Sequence, residues 1–311
     1  MQQNLTSHPA MDWRSTIREH VGLHPLTAAG LLLSVLLIAA LIAQNVFSMI
    51  NGTASNQVYW ALLAGGAGFA ATAAGAMMAL FLKNMAQKTE DSLLGFAAGM
   101  MLAASAFSLI IPGIDAGTDL FQNKFYGAGI VAVGLGLGVL LMLGLDQFTP
   151  HEHDKTGPCG PGYEACPRSW LFVFAIALHN LPEGMAMGVS FAQGDLSVGL
   201  PLSTAIAIQD IPEGLAVALA LRVSGMSLIK AALIAAATGL LEPIGALLGV
   251  GLSSGLAFAY PMGLGLAAGA MIFVVSHEVI PETHRNGHQT PATIGLMVGF
   301  AVMMLLDTTL G

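Results

Sequence analysis

Nine apolar stretches, most of them about the 20 residues a helix needs to cross a bilayer, leave this chain few folds to choose from. Turn residues and charges separate them at roughly 26–50, 58–82, 93–112, 126–148, 170–192, 199–221, 228–252, 259–280 and 292–310. Charged residues make up 9% of the chain, against about 25% in a soluble domain. So few charges cannot cover a water-facing surface. The 38 glycines fit the same class, because small residues let helix backbones approach closely in lipid. The predicted fold is all-α, a polytopic membrane helix bundle whose first partner is the lipid bilayer.

The polar segment 1–25 precedes the first stretch. That stretch, 26–50, is long for the apolar region of a signal peptide and has no convincing cleavage site, so it reads as a retained membrane helix. The net charge of -8 and the lack of any basic run argue against a nucleic-acid partner. Orientation follows from the basic residues. With the N-terminus in the cytoplasm, Arg14, Arg18, Lys83, Lys88, Lys155, Arg168, Arg222, Lys230 and Arg285 fall at cytoplasmic ends or loops, and of the 10 only Lys124 falls outside. Nine spans then put the C-terminus on the periplasmic or extracellular side.

The chain also echoes itself. Ile176-Ala-Leu-His-Asn-Leu-Pro-Glu-Gly184 is answered by Ile206-Ala-Ile-Gln-Asp-Ile-Pro-Glu-Gly214 on the next, oppositely directed span. Paired helices interrupted in this way point to a transporter's binding site. At about 100° per residue, His179, Asn180 and Glu183 share one helix face, and Gln209, Asp210 and Glu213 repeat the arc. Pro182 and Pro212 lack an N–H and so free the carbonyls of Leu178 and Ile208. Glu242, before Pro243, repeats the acid–proline theme on the following span.

An acid at the centre of a membrane helix costs roughly 2.5–3.5 kcal/mol. Glu183, Asp210, Glu213 and Glu242 together cost on the order of 10 kcal/mol, and no Lys or Arg lies at mid-membrane to pair with them. A lone membrane His may be a packing residue that bonds a neighbouring helix, and a lone Pro is usually only a kink. Four convergent acids with an imidazole and amides describe a cation site instead. Imidazole and carboxylate suit zinc and neighbouring divalent metals, a thioether would extend the range to cadmium, and no cysteine lies within the spans.

With His179–Gly184 and Gln209–Gly214 in view, the chain resembles the ZIP (Zrt-, Irt-like protein) family of divalent metal transporters, in its bacterial branch. The resemblance covers 58–311 as an eight-helix core, with 26–50 as an extra N-terminal helix and 149–169 as a short cytoplasmic loop. It implies transport of Zn2+, and of Cd2+, toward the cytoplasm, by site-bearing helices that move against a scaffold, in a homodimer of the inner or plasma membrane. It also implies a binuclear site. One position would use His179, Glu183, Gln209 and Glu213 with Met101 as a soft ligand; the other would use Asn180, Glu183, Asp210, Glu213 and Glu242. The long histidine-rich loop of many members is reduced here to His151-Glu152-His153, with Cys159 and Cys166 further on; a metal-binding loop and a solvated one both stay open, the second favoured.

Asp146, His277, Glu278, Glu282 and His284 gather toward the cytoplasmic ends of their spans. Two readings stay open: a relay through which metal leaves, or interfacial polar residues snorkelling to water. The competing activities are weaker. An intramembrane metalloprotease needs His-Glu-x-x-His, whereas His277-Glu278 meets Pro281 where the second His belongs, so no catalytic residue is assigned. A metal-gated channel or a metal sensor would use the same ligands.

Overall fold

Lipid tails are as apolar as leucine, so helices in a bilayer hold together through close backbone contact and shared polar groups. How this chain meets that condition is seen in a computed structural model, which describes residues 21–82, 85–148, 151–153, 157–159, 168–223, 225–253 and 256–310. Arg14, Arg18, Lys83, Lys155 and Cys166 lie outside the described residues.

The helices are α1 (Pro25–Ile50), α2 (Asn56–Met78), α3 (Gln87–Ala104), α4 (Ile111–Phe121), α5 (Lys124–Phe148), α6 (Arg168–Ser190) and α7 (Leu196–Val223). After them come α8 (Leu228–Thr238), α9 (Leu241–Ser253), α10 (Ala259–Val274), α11 (Ile280–His284) and α12 (Gln289–Leu310). A short antiparallel ribbon, β1 (His151–His153) with β2 (Gly157–Cys159), pairs His151 with Cys159 in the cytoplasmic loop of the sequence reading. Among the described residues, 7 helices or helix runs are long and apolar enough to cross a membrane. The helices α1, of 26 residues, and α6, of 23, match them in length.

Three elements differ from the expectation. The third span runs unbroken from Gln87 to Phe121, 35 residues rather than the 93–112 predicted from hydropathy. At 1.5 Å per residue that is about 52 Å, well beyond the ~30 Å hydrocarbon core. A helix needs no apolar residues to continue into the headgroups, so Lys88, Asp91, Asp115 and Asp119 mark where lipid ends, not where the helix does. Next, α6 and α7 run through Pro182 and Pro212 without a break in helical assignment, since each proline removes one backbone bond that neighbours can compensate. The interrupted rod is the seventh, split at Gly239–Leu240, with Pro243 in the first turn of α9, where its missing N–H costs nothing. Glu242 sits in that first turn beside it.

Two π-helical segments, Ser105–Ile110 and Val275–Val279, join α3 to α4 and α10 to α11. Each ends two residues before a proline, Pro112 or Pro281.

The rods sort into two packed groups. In the first, α2, α6, α7, α8 and α9 pack on one another; in the second, α3 packs on α12 while α4 and α10 pack on α5. Seams of glycines four residues apart, contributed by both helices, hold three of these contacts. They are Gly184/Gly188 against Gly245/Gly249 (α6–α9), Gly95/Gly99 against Gly295/Gly299 (α3–α12), and Gly134/Gly138 against Gly265/Gly269 (α5–α10). At every one of these twelve positions a Cβ would fall within 2.5 Å of a backbone oxygen of the facing helix, so only glycine fits. The extra helix α1 leans on α9 and α5, and its Asn45 Nδ2 donates to the Leu247 carbonyl of α9 at 2.8 Å.

Candidate metal centre

The two echoing motifs meet inside the first group. His179, Asn180 and Glu183 of α6 and Gln209, Asp210 and Glu213 of α7 are all buried, and Glu242 of α9 is buried with them. Carboxylate oxygens of Glu183, Asp210 and Glu213 lie within 4.8 Å of one another, close enough to share one ion.

The arms interlock crosswise. Gln209 of α7 donates from Nε2 to Glu183 Oε1 of α6 at 2.6 Å. In the other direction, His179 Nδ1 of α6 stands 3.9 Å from Glu213 Oε1 of α7. The first residue of each motif thus faces the last residue of the other, as expected of two similar helices placed side by side with opposite polarity.

Glu242 enters from α9 and is gripped by a residue the sequence reading did not single out. Thr72 Oγ1 of α2 donates to Glu242 Oε1 at 2.6 Å. One turn earlier, a Cβ on Gly68 would lie 1.8 Å from Glu242 Oε2 and 3.1 Å from Asp210 Oδ2, so both carboxylates lie against bare backbone there. In a Gly- and Ala-rich span neither residue stands out; the signal was the small-residue stripe Gly65, Gly68, Thr72, Gly75 along one face of α2.

What the site lacks is as informative. Gln209 Oε1, Asp210 Oδ2, Glu213 Oε1 and Glu242 Oε2 are buried without a hydrogen-bond partner. An unpaired buried polar atom is costly, and a cation among the clustered carboxylates would satisfy such oxygens. Three acids around such a space favour a divalent ion over a monovalent one.

The remaining predicted ligands come from other helices. Met101 of α3 is fully buried in the main apolar cluster, its carbonyl accepting from Ser105 Oγ at 2.8 Å. Asp146 ends α5, His277 and Glu278 sit on the second π segment, and Glu282 and His284 sit on α11. None of these five joins the central carboxylate cluster among the described residues. The His277 ring rests 4.9 Å from Phe273, His284 Nδ1 lies 2.9 Å from the Ile280 carbonyl, and Glu282 pairs with Arg285 at 3.3 Å.

Fold and site together define a multi-pass helical membrane protein with a buried acid cluster shared by two antiparallel helices. The ZIP Zinc transporter family model matches residues 151–307. Over 308 residues, 99% of this chain and 100% of the relative, the chain is 60% identical to zinc transporter ZIPB of Bordetella bronchiseptica. It is 43% identical to zinc transporter GufA of Myxococcus xanthus over 244 residues, 78% of this chain and 95% of that one. Zinc transporter ZIP11 of Homo sapiens is 30% identical over 351 aligned positions, 85% of this chain and 100% of that one. The chain belongs to the ZIP zinc transporter family.

Proposed function

We propose that this protein carries zinc, and cadmium as a softer surrogate, across the membrane toward the cytoplasm through a binuclear site on α6, α7 and α9. The observation that carries the reading is the convergence of the Glu183, Asp210 and Glu213 carboxylates in a buried space. The names of the relatives as zinc transporters support it. The first position takes His179, Glu183, Gln209 and Glu213, with Met101 supplying sulfur when α3 and α7 bring it alongside; the second takes Asn180, Glu183, Asp210, Glu213 and Glu242. A nitrogen and a sulfur on one side suit zinc and cadmium, while the all-oxygen side binds less selectively.

In the mechanism the ion sheds water as it enters the cluster, where preplaced oxygens replace its hydration. The metal-bearing group then moves against α3–α4, α5, α10–α11 and α12. The ion leaves past Asp146, His277, Glu278, Glu282 and His284, three of them on or beside the second π segment, a distortion that often marks functional positions. The N-terminus is cytoplasmic, and two copies form a homodimer.

The test is zinc flux into proteoliposomes. His179→Ala combined with Glu213→Ala removes an imidazole and a bridging carboxylate and is expected to abolish saturable uptake. Uptake equal to that of the unsubstituted protein rejects the reading.

A further inference from the structure

We infer that Thr72 and Gly68 of α2 are positioning residues that decide which oxygen Glu242 offers to the second metal position, and so whether that position fills. This rests on the binuclear reading above and adds to it a wall that neither motif helix supplies.

A helical threonine commonly returns its proton to a carbonyl of the preceding turn. Four buried hydroxyls do so, Ser105 to Met101, Ser190 to Met187, Thr238 to Ala235 and Thr283 to Ile280, whereas Ser108 donates across a helix contact to the Asp307 carboxylate. Thr72 also donates across a helix contact, to Glu242 Oε1 at 2.6 Å. That bond engages one carboxylate oxygen and turns the other, Oε2, toward Gly68 and Asp210 Oδ2. Oε2 and Asp210 Oδ2 receive no N–H or O–H donor from any other residue. Gly239 closes the remaining side, since a Cβ there would lie 3.0 Å from Thr72 Cβ and 3.2 Å from Glu242 Oε1.

The parts have separate tasks. Thr72 fixes the rotamer of Glu242 without adding charge, Gly68 leaves room for two carboxylates, and the paired free oxygens form the acidic edge of the second position. Thr72 and Gly68 face Glu242 rather than Glu183 or Glu213, the carboxylates the two positions share, so their removal bears first on the second position. Partners that orient a metal ligand typically change affinity about 10- to 100-fold when removed.

The experiment uses the full chain and zinc alone. Zinc bound per chain is measured by equilibrium dialysis and uptake is measured in proteoliposomes, for the unsubstituted protein, Thr72→Val, Thr72→Ser and Gly68→Ala. Thr72→Val keeps shape and loses the donor. It is expected to weaken the second zinc about 10- to 100-fold, leave the first in place, and lower maximal uptake with half-saturating zinc unchanged. Thr72→Ser is expected to restore both. Gly68→Ala is expected to remove the second zinc outright. If Thr72→Val does not fold, Thr72→Ala is read in the same way. Two zincs bound by Thr72→Val with unsubstituted affinity overturn the inference, as does failure of Thr72→Ser to rescue. A single zinc on the unsubstituted protein also overturns it while leaving transport standing, whereas no zinc at all overturns the transport reading itself.

Discussion

The contact of α6 with α9 and that of α3 with α12 use one packing rule, two glycines four residues apart on each helix, yet they treat their acids in opposite ways. A Cβ on Gly184 would fall 2.1 Å from the Glu242 carbonyl oxygen, and one on Gly99 would fall 1.9 Å from that of Leu296, so the backbones are equally close. At the end of the α3–α12 seam, Asp91 is buried but fully engaged. Its Oδ1 accepts from Gln87 and Asn286 at 3.1 Å each, and its Oδ2 lies 2.7 Å from His288 Nδ1. Beside the α6–α9 seam, Asp210, Glu213 and Glu242 each keep a buried oxygen with no such partner. One seam closes its own polar account. The other leaves carboxylate oxygens that no neighbouring N–H or O–H donor satisfies and that a cation would, which separates a scaffold from a carrier of ions.

Gly184→Ala tests that contrast most severely. The added carbon must push α9, and Glu242 with it, away from α6, and misplacement by about 1 Å is expected to cut zinc uptake on the order of 100-fold. Gly99→Ala imposes the same overlap where no carboxylate ligand sits. It is expected to cost about 1–3 kcal/mol of stability, read as a lower melting temperature, with a far smaller effect on zinc uptake, felt only through Met101. A shift in zinc affinity as large as that of Gly184→Ala would erase the distinction. Arg285→Ala, which frees Glu282 from a half-exposed pair, is expected to change stability by less than ~1 kcal/mol. Its use is to sharpen the exit path: zinc release slowed by an unpaired Glu282 would show that this acid meets the ion.

Much of this was legible in one dimension. Four acids within apolar spans are expensive wherever the helices go, so Glu183, Asp210, Glu213 and Glu242 announced themselves by cost alone. The repeated motif put matching residues on matching faces because helical periodicity is local. Thr72 and Gly68 were not legible, for a threonine in an apolar helix normally bonds its own backbone, and a glycine among 38 carries no address. The break at Gly239–Leu240 was also missed, because hydropathy continues smoothly through it, and Pro243 gave the same signal as the two prolines that interrupt nothing.

Sequence alone determined the class and the family of this protein and singled out the acids that meet in its core, because the penalty for charge in hydrocarbon and the 3.6-residue period act on each segment independently. Tertiary structure decided the crossed pairing of His179 with Glu213 and Gln209 with Glu183, the hold of Thr72 on Glu242, and which carboxylate oxygens were left without a donor. Those depend on how far apart two backbones lie. That distance is set where the glycines of one helix meet the carbonyls of another, and no single helix carries it.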